Sequence, residues 1–561
     1  MWALHLKNKF VSHAVSLITC LLASVTLLAT PRTQQDAERE ALRFLRSRGV
    51  TTEGVVRVDL CGVYASGALR QNCTVRHGHD APFYIFDNAE GDAFVIVAGD
   101  SRANPLLGWS DASAFPADDI PEGLAWLLEW YACCNTPAAV LDDSSRSYPL
   151  VAPILRTHWG QGTPYNRLCP QVDGSYCYTG CVATAMAQIM YCFQHPAVGT
   201  GSFAYATDTY SCSFDFGSTF FDWDNMRTEY SGRYTETERK AVAELMYACG
   251  VSVGMAYSTS GSGAYSEDVP YALHHFFGYN PNIVHYSRDY FSESEWHSIL
   301  SEELVAGRPV LYCGSRNEES GHAFVVDGCD GEGLYHVNWG WSGSADGYFS
   351  LDALAPYGGD AYGLWQSMVC HISPDTIGEQ EDVFYADEIV VEDTLLSLDG
   401  TLHIEVHGVG CTSSAFSTID STLCFTGTVG IALYNDEMQF VRWLDVPDTI
   451  SANLFVAYTL WYEIPMDAQV FTEGQTWWLI PAAQALEAAA PTPMHLLNTT
   501  SEKIPLFVQE GRVYIGKEYR QDLSVSPLHF PEKETLYDLQ GRECSYPWKG
   551  IYIYKGEKKF F

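Results

Sequence analysis

A cysteine begins an apolar helical pattern in the segment TGCVATAMAQIM, residues 179–190. Apolar residues recur after it at spacings of three and four, which predicts a helix with one buried face. Gly180 permits a sharp entry into that helix. In the first helical turn the unpaired N–H groups and the helix dipole favour an anion, so they would lower the pKa of the Cys181 thiol. Cys181 is therefore a candidate nucleophile, with a structural thiol as the alternative because the chain has 17 cysteines.

A nucleophilic thiol needs a base, and His322 is the best placed of the 17 histidines. It lies in the apolar stretch GHAFVVDG, and the turn sequence DGEG separates that stretch from LYHVNWGW. This pattern predicts an antiparallel hairpin. On the returning strand Asn338, Trp339 or Trp341 could orient the imidazole or shield it from water. The alternatives are core packing for the tryptophans and His336 as a rival base.

Acyl transfer also requires donors for the oxyanion. The N–H of Cys181 at the predicted helix start is one candidate. Gln161 is another, because it stands between two glycines in WGQG, although such a sequence is usually only a loop. Cys181, His322 and Asn338 follow one another in the order that papain-type peptidases have. The motifs HExxH, GxSxG, the P-loop and paired CxxC are missing from the chain, so other common hydrolase chemistries have no support.

The composition limits the classes of protein to which this chain of 561 residues can belong. Apolar residues make up 47% and charged residues only 18%, which supports packed cores and excludes a mainly disordered chain. Acidic residues outnumber basic ones by 69 to 32, for a formal charge of -37. Such a field repels phosphate backbones, so nucleic-acid binding is not expected.

Pattern and composition divide the chain into five segments. They are the signal segment 1–30, the N-terminal unit 31–146, the central unit 147–375, the β-rich unit 376–520 and the terminal segment 521–561. The first has the positive start, apolar run and small residues of a secretory signal. The N-terminal unit contains two predicted helices, Asp36–Arg48 and Pro121–Cys133, and a predicted hairpin. The central unit mixes helix and strand, whereas the short β-branched and aromatic runs of the β-rich unit suggest a β-sandwich.

Long motifs occur in order along the central unit. They are WGQGTPYN at 159–166 followed by Cys169-Pro170, TGCVATA at 179–185, GHAFV at 321–325 and HVNWGW at 336–341. Together they resemble the streptopain family of cysteine peptidases, to which interpain also belongs. Three stretches of the N-terminal unit, 83–86, 94–100 and 102–110, resemble the inhibitory propeptide of that family. The resemblance implies an α+β fold, with a papain-like peptidase domain after an α+β propeptide, and an inactive secreted precursor. The polar stretch at 142–147 has the composition of an exposed linker, and we expect the activating cut in it, near Arg146.

The resemblance also implies roles for individual residues and partners for the chain. The implied roles are nucleophile for Cys181, base for His322, oxyanion donor for Gln161, orientation of the imidazole for Asn338, Trp339 or Trp341, and lining of the cleft for Ser262, Gly263 and Gly321. Protein and peptide substrates are the implied partners, and the propeptide is the implied inhibitor. No metal or organic cofactor is implied.

Two features depart from the family pattern. Cys169, Cys177 and Cys192 surround the nucleophile in sequence, so oxidation could trap Cys181 and a reducing milieu would then be needed. The chain also continues far beyond the central unit, and its terminal segment resembles the C-terminal sorting domain of type IX secretion. The alternative for that segment is a last hairpin of the β-rich unit. The resemblance implies the secretion machinery as a partner, and secretion from a Gram-negative bacterium or attachment to its outer surface.

Two other functions compete with that of a secreted cysteine endopeptidase. A surface adhesin or binding protein with a vestigial peptidase unit would fit the β-rich unit. Against this, Gln161, Cys181, His322 and Asn338 are all present, and a vestigial enzyme would often have lost one of them. An enzyme that hydrolyses a cell-wall amide or transfers acyl groups would use the same Cys and His. A latent precursor is more typical of a protease, since a protease endangers its own cell.

Overall fold

The computed structural model describes most of the chain between residue 31 and residue 516. The described residues are 31–50, 54–58, 81–101, 104–133, 148–317, 320–351, 365–377, 382–391, 393–412, 417–420, 425–444, 450–452, 458–467, 469–486, 488–497, 503–516, 536–537, 543–544, 551–554 and 557–560. The signal segment, the linker around Arg146 and most of the terminal segment lie outside them. The predictions made for those parts stay predictions.

The N-terminal unit combines two helices with a small antiparallel sheet. Its elements are α1 (Gln34–Ser47), β1 (Val55–Val58), β2 (Phe83–Asn88), β3 (Phe94–Ala98), β4 (Leu106–Ser110) and α2 (Glu122–Cys133). The hydroxyl of Thr33 accepts a hydrogen bond from the N–H of Asp36, which caps the start of α1. Both predicted helices and the predicted hairpin of β2 and β3 are confirmed, with bounds that differ by one or two residues.

The central unit alternates helices and strands. Its helices are α3 (Cys181–Phe193), α4 (Glu236–Ser252), α5 (Val269–Phe277) and α6 (Glu293–Val305). Its strands are β5 (Leu150–Val151), β6 (Gln171–Val172), β7 (Ser175–Tyr176), β8 (Ser202–Ala206), β9 (Ser211–Asp215), β10 (Val284–Ser287), β11 (Val310–Asn317), β12 (Ser320–Asp330), β13 (Tyr335–Asn338), β14 (Gly347–Phe349) and β15 (Trp365–Cys370). Four short 3-10 turns complete it, at Phe216–Ser218, Trp223–Asn225, Ser266–Asp268 and Arg288–Tyr290.

One antiparallel sheet of 11 strands runs through both units. Its order is β1-β2-β3-β4-β14-β13-β12-β11-β15-β10, with β5 paired to β12. The two units join where β4 pairs with β14, through Gly108 opposite Phe349 and Trp109 opposite Tyr348. The predicted hairpin around His322 is the pair β12 and β13.

Helices cover both faces of this sheet and create two apolar cores. Helices α3, α4 and α5 pack on one face together with Ala323 and Val325 of β12. Helices α2 and α6 pack on the other face together with Phe324 and Val326. Successive side chains of a strand point to opposite faces, so β12 contributes to both cores. The strand that carries His322 is therefore fixed from two sides.

The β-rich unit consists of strands, as its sequence predicts. They are β16 (Val383–Ala386), β17 (Glu388–Val391), β18 (Leu395–Ser397), β19 (Thr401–Thr412), β20 (Phe425–Tyr434), β21 (Phe440–Leu444), β22 (Ile450–Ala452), β23 (Tyr458–Pro465), β24 (Thr476–Ala485), β25 (Thr492–Pro493), β26 (His495–Leu496), β27 (Ile504–Gln509) and β28 (Arg512–Ile515). They form one sheet of five strands and one of eight. Both sheets contribute to a single core, with Ile404 from the first and Ile431 and Leu479 from the second.

The described part of the terminal segment contains four short strands in one sheet. They are β29 (Leu536–Tyr537), β30 (Glu543–Cys544), β31 (Ile551–Tyr554) and β32 (Glu557–Phe560). Across all described residues, the helices are too short or too polar to cross a membrane.

Candidate active site

The structure brings Cys181 and His322 together. Cys181 is the first residue of α3, and Gly180 before it has a φ of 88°. A side chain at position 180 would place its Cβ 2.6 Å from Sδ of Met255, so glycine is needed there for space as well as for backbone conformation. His322 lies near the start of β12 and is 2% exposed. Both predicted reacting groups thus stand at the ends of firmly packed elements.

The two groups shift each other's pKa in opposite directions. Burial alone would raise the pKa of the Cys181 thiol, but contact with the His322 imidazole, its charge and a backbone hydrogen bond from Ala323 bring the pKa below its ordinary value. Burial alone would lower the pKa of His322, but the contact and charge of Cys181, followed by the charge of Glu122 and the backbone of Trp339, raise it. These shifts favour a thiolate beside an imidazolium.

The main-chain carbonyl of Trp339 contacts the imidazole of His322. Nε2 of His322 lies 3.2 Å from the carbonyl oxygen of Trp339. A carbonyl only accepts, so Nε2 donates and Nδ1 is left for the thiol. Trp339 is itself held by its indole N–H, which donates to the carbonyl of Ala345, and by its own N–H, which donates to Asp346. Among the candidates for orientation, Trp339 is therefore the one that contacts the base.

Asn338 does not contact the base. Its Oδ1 accepts from Nε2 of Gln188 at 2.9 Å and from the N–H of Gly340 at 3.1 Å. Its Nδ2 donates to the carbonyl of Thr157 at 2.7 Å. The hydrogen bonds of Asn338 thus hold the turn after β13. Orientation of the imidazole, the role that the sequence left open among three residues, is not among these contacts.

Trp341 packs against a core, and His336 contacts Asp327. Trp341 is half-buried against the core that α2 and α6 cover, and its indole nitrogen has no hydrogen-bond partner among the described residues. Nδ1 of His336 lies 2.6 Å from Oδ1 of Asp327. Burial alone would lower the pKa of His336, but Asp327 raises it. Because His336 is committed to this ion pair, it is a poor alternative to His322 as the base.

The other predicted site residues border Cys181. The carbonyl of Gln161 accepts from the N–H of Thr179 at 3.0 Å, so the WGQG loop lies beside the start of α3. Ser262 donates from its hydroxyl to the carbonyl of Tyr178 at 2.7 Å. Gly263 continues that loop, and its N–H and carbonyl pair with Ala256.

Gly321 is the exposed residue directly before His322 on β12. The predicted cleft residues therefore come from two places: Ser262 and Gly263 from a loop beside Cys181, and Gly321 from the start of the strand that carries His322.

Gln188 is a residue of the site that the sequence analysis missed. It is fully buried on α3, and its Oε1 accepts from the hydroxyl of Thr157 at 2.9 Å and from the N–H of Trp159 at 3.3 Å. Its Nε2 donates to Asn338. Gln188 thus connects the Cys181 helix, the chain that leads into Gln161 and the hairpin of His322. The available signal was a polar residue inside an otherwise buried helical stretch.

Helix α2 of the N-terminal unit lies directly on His322. A Cβ at Gly123 would come within 2.4 Å of Cδ2 of His322 and within 2.7 Å of the Trp339 ring. Oε2 of Glu122 lies 3.8 Å from Nδ1 of His322. Glu122 is an exposed carboxylate, and its charge raises the pKa of both reacting groups. The helix pattern predicted α2 but did not indicate where it would dock.

The thiol beside the nucleophile is not one of the three that the sequence suggested. Burial and, to a smaller degree, the charge of Cys181 raise the pKa of Cys313 on β11. The pKa of Cys169 is raised by burial and by the charges of Cys177 and Cys212. The charge of Cys181 does not influence the pKa of Cys169, Cys177 or Cys192, and of these three only Cys192 lies on α3. Within the described residues, no group of three His, Cys, Asp or Glu side chains is arranged to hold a metal ion.

Comparison with known proteins identifies the family. Residues 159–349 match the model of the Peptidase C10 family, and residues 29–133 match that of the Spi protease inhibitor. Streptopain of Streptococcus pyogenes serotype M28 is 33% identical over 403 residues, which are 64% of this chain and 98% of streptopain. The chain belongs to the streptopain family. It is thus a cysteine peptidase with an inhibitor-like region before its peptidase region.

Other relatives come from Porphyromonas gingivalis and Prevotella intermedia. Thiol protease/hemagglutinin PrtT of Porphyromonas gingivalis is 31% identical over 385 residues, which are 63% of this chain and 43% of that protein. Among solved structures, a fragment of Prevotella intermedia prointerpain A is 35% identical and covers 53% of this chain and 96% of its own, with a TM-score of 0.47. The active interpain A of the same organism is 39% identical, covers 42% of this chain and 98% of its own, and has a TM-score of 0.37.

Replacing Asn338 by Ala should lower the stability of the protein without changing the pKa of His322. The substitution leaves Nε2 of Gln188 and the carbonyl of Thr157 buried without a partner, so the free energy of unfolding should fall by about 1–3 kcal/mol. Urea denaturation of the Asn338→Ala variant measures this loss. The pH profile of activity should stay that of the wild type, because Asn338 does not touch His322; a shifted profile would show that Asn338 acts on the imidazole.

Proposed function

We propose that the chain is an exported cysteine endopeptidase that is made as a latent precursor and hydrolyses peptide bonds of proteins. The observation that carries this proposal is the Cys181–His322 pair, in which the thiol pKa is lowered and the imidazole pKa is raised. The lowered thiol pKa increases the fraction of nucleophilic thiolate near neutral pH. The adhesin hypothesis predicts no such pair.

In the proposed reaction the thiolate of Cys181 attacks the peptide carbonyl, and the carbon–nitrogen bond then breaks. His322 gives its proton to the leaving amine, and the same imidazole later takes a proton from the water that hydrolyses the thioester. The N–H of Cys181 at the start of α3 and the amide of Gln161 are the proposed donors to the oxyanion. The Trp339 carbonyl is the proposed positioning group for His322. Ser262, Gly263 and Gly321 are the proposed walls of the cleft.

Latency is proposed to come from residues 31–146. The carboxylate of Glu122 and the backbone at Gly123 lie against His322, where a substrate would have to enter. A second attachment is the ion pair of Arg48 with Asp330, 3.0 Å between Nη2 and Oδ2. The proposed cut near Arg146 would release this unit. The match of residues 29–133 to a protease inhibitor model supports this assignment.

The proposed architecture is a papain-like peptidase domain at 147–375, preceded by the propeptide and followed by a β-sandwich-like domain at 376–520. A helix that begins with the nucleophile and packs on an antiparallel sheet that carries the base supports the first part. Two sheets around one core support the second. Removal of the signal 1–30, sorting through 521–561 by a type IX pathway and a Gram-negative host remain proposals from the sequence.

An intact-mass time course tests this function. Purified precursor, wild type beside Cys181→Ala, is incubated under mild reducing conditions, and casein cleavage is followed in parallel. We expect only the wild type to lose a fragment that ends near Arg146 and to gain activity on casein. Equal processing of both chains would mean that another protease matures the precursor. Casein cleavage by the processed wild type would then show whether the chain is itself a peptidase. If neither chain cleaves casein after the linker has been cut in trans, the endopeptidase proposal is wrong.

The pH dependence of Cys181 alkylation tests the proposed pair directly. Because contact with His322 lowers the thiol pKa, alkylation by iodoacetamide should be half-maximal at a pH below that of an ordinary thiol. In His322→Ala the largest influence that remains is burial, which raises the pKa, while the smaller lowering effect of the Ala323 backbone hydrogen bond persists, so the midpoint should move upward. Cys192 in the same sample is the reference, because burial raises its pKa. If the midpoint of Cys181 alkylation is the same in the wild type and in His322→Ala, the proposal that His322 lowers the thiol pKa is wrong.

A further inference from the structure

The carboxylate of Asp268 is a buried charge of the central unit that only the β-rich unit satisfies. It is 1% exposed and stands directly before α5, yet its side chain makes no capping bond to that helix. Instead its Oδ1 accepts from the hydroxyl of Ser417 and from the N–H of Thr418, both at 2.7 Å. Its Oδ2 accepts from the hydroxyl of Thr418. Among the described residues, every hydrogen bond given for this carboxylate comes from the β-rich unit.

An ionised carboxylate without partners is costly in a protein interior. Ser417 and Thr418 lower the pKa of Asp268, although burial outweighs them and leaves it above the ordinary value. Loss of the β-rich unit would leave this carboxylate without the three donors. The central unit therefore carries a residue whose environment is completed by chain that lies beyond the peptidase region.

Ile419, which directly follows Ser417 and Thr418, contacts the central unit at a second place, near Gly254. Cγ2 of Ile419 would lie 3.1 Å from a Cβ at Gly254, and Ile419 packs against the core of the central unit. Met255, the next residue, contacts Gly180 beside the nucleophile. Residues 417–420, which we name the bracing segment, therefore hold the stretch 254–268 at both of its ends.

The stretch between these two anchors contains the proposed cleft wall. Ser262 and Gly263 lie in it, and its last residues also face the site, since the hydroxyl of Ser266 contacts Nε2 of His285 at 3.2 Å and bonds to the thiol of Cys313. A Cβ at Gly180 would lie 3.1 Å from the carbonyl of Ser262. A shift of this stretch would thus change the space beside Cys181.

The β-rich unit makes other contacts with the central unit. The hydroxyl of Tyr385 and that of Thr412 donate to the carbonyl of His285, at 3.0 and 2.9 Å. Tyr290 donates from its hydroxyl to Asp387 at 2.8 Å. These contacts fasten the two units together and provide a matched control for the bracing segment.

We propose that the bracing segment 417–420 positions the cleft wall 254–268, so that the β-rich unit stays part of the active peptidase and sets its affinity for the peptide substrate. This inference rests on the proposed function, because the wall borders the proposed nucleophile. Ser417, Thr418 and Asp268 are positioning residues in it, since none of them is assigned to touch the reacting atoms.

The test compares steady-state kinetics of matured full-length proteins on one fluorogenic peptide. In the double variant Ser417→Ala, Thr418→Val we expect KM to rise about tenfold, the effect of losing hydrogen bonds to a charged group. We expect kcat to stay within about threefold, since the double variant leaves Cys181 and His322 in place. Thr418→Ser keeps the hydroxyl and should restore much of the wild-type KM. Tyr290→Phe removes the hydroxyl that donates to Asp387 at the same interface, away from the wall, and should leave KM unchanged.

Two results would overturn the proposal. One is an equal change of KM in Tyr290→Phe and in the double variant, which would mean that the bracing segment only fastens the two units together. The other is a matured wild-type enzyme whose intact mass lacks the β-rich unit and whose KM equals that of the full-length form. The alkylation rate of Cys181 is measured in every variant. If that rate is normal and KM is unchanged, this inference fails alone, whereas a slow Cys181 in the wild type would contradict the proposed function.

Discussion

Replacing Cys181 by Ala should reduce kcat for peptide hydrolysis by at least about 10⁴-fold, because no other group can form the acyl-enzyme. Cys181 is only half-buried and is the first residue of α3, so loss of its sulfur atom removes little packing. Thermal unfolding of the precursor should therefore change little. Initial rates of casein cleavage by the matured wild type and by the variant, both cut at the linker in trans, measure the effect.

The matched control for this experiment is Cys192→Ala. Cys192 lies on the same helix and is also half-buried, but its pKa is set by burial, Asp327 and Arg156 instead of by His322. Activity of this variant should stay within a few-fold of the wild type. An inactive Cys192→Ala enzyme with normal stability, or an active Cys181→Ala enzyme, would falsify the assignment of the nucleophile.

Replacing Gly123 by Leu should release the latent site without any cut in the chain. Gly123 is the second residue of α2, and the absence of a side chain there lets the helix approach His322 closely. A Cβ at this position already meets His322 and Trp339 at less than 3 Å, and a leucine side chain cannot fit. We expect α2 to lift from His322 at a cost of about 1–3 kcal/mol. Alkylation of Cys181 in the uncut precursor should then be about tenfold to a hundredfold faster.

Gly54→Leu is the control for this prediction. Gly54 belongs to the same unit, and a Cβ there would meet nothing within 4 Å. Mass spectrometry of the Cys181 peptide follows alkylation during the first minutes, while intact mass shows that the chain is still whole. Once residues 31–146 have been removed, the enzymes from both precursors should have equal kcat. Alkylation as slow as in the wild-type precursor would mean that α2 does not control access to the pair.

The reacting pair could be predicted from sequence because both partners lie in local patterns. Apolar spacing after Cys181 predicted the helix, and a turn sequence between two apolar stretches predicted the hairpin of His322. The orientation of the imidazole could not be predicted in the same way. His322 contacts the main-chain carbonyl of Trp339, and because every residue has such a carbonyl, the sequence does not indicate which one the imidazole meets.

Contacts between distant parts of the chain are a second feature that could not be predicted from the sequence. Glu122 and Gly123 reach His322 only because β4 joins β14 and brings α2 across the central unit. Asp268 meets Ser417 and Thr418 through docking of the β-rich unit. Periodicity describes which face of an element is apolar, but it does not say which other element covers that face.

The pairing of β4 with β14 has a consequence for the protein after maturation. While the N-terminal unit is present, the N–H and C=O groups along β14 are paired on that side. Release of residues 31–146 would uncover them and create a free sheet edge, on which another extended chain could assemble. The edge strand is only Gly347–Phe349, and so short an edge is a weak template for such growth. Because the strand that joins the two units is so short, the liberated enzyme should have little tendency to self-associate through it.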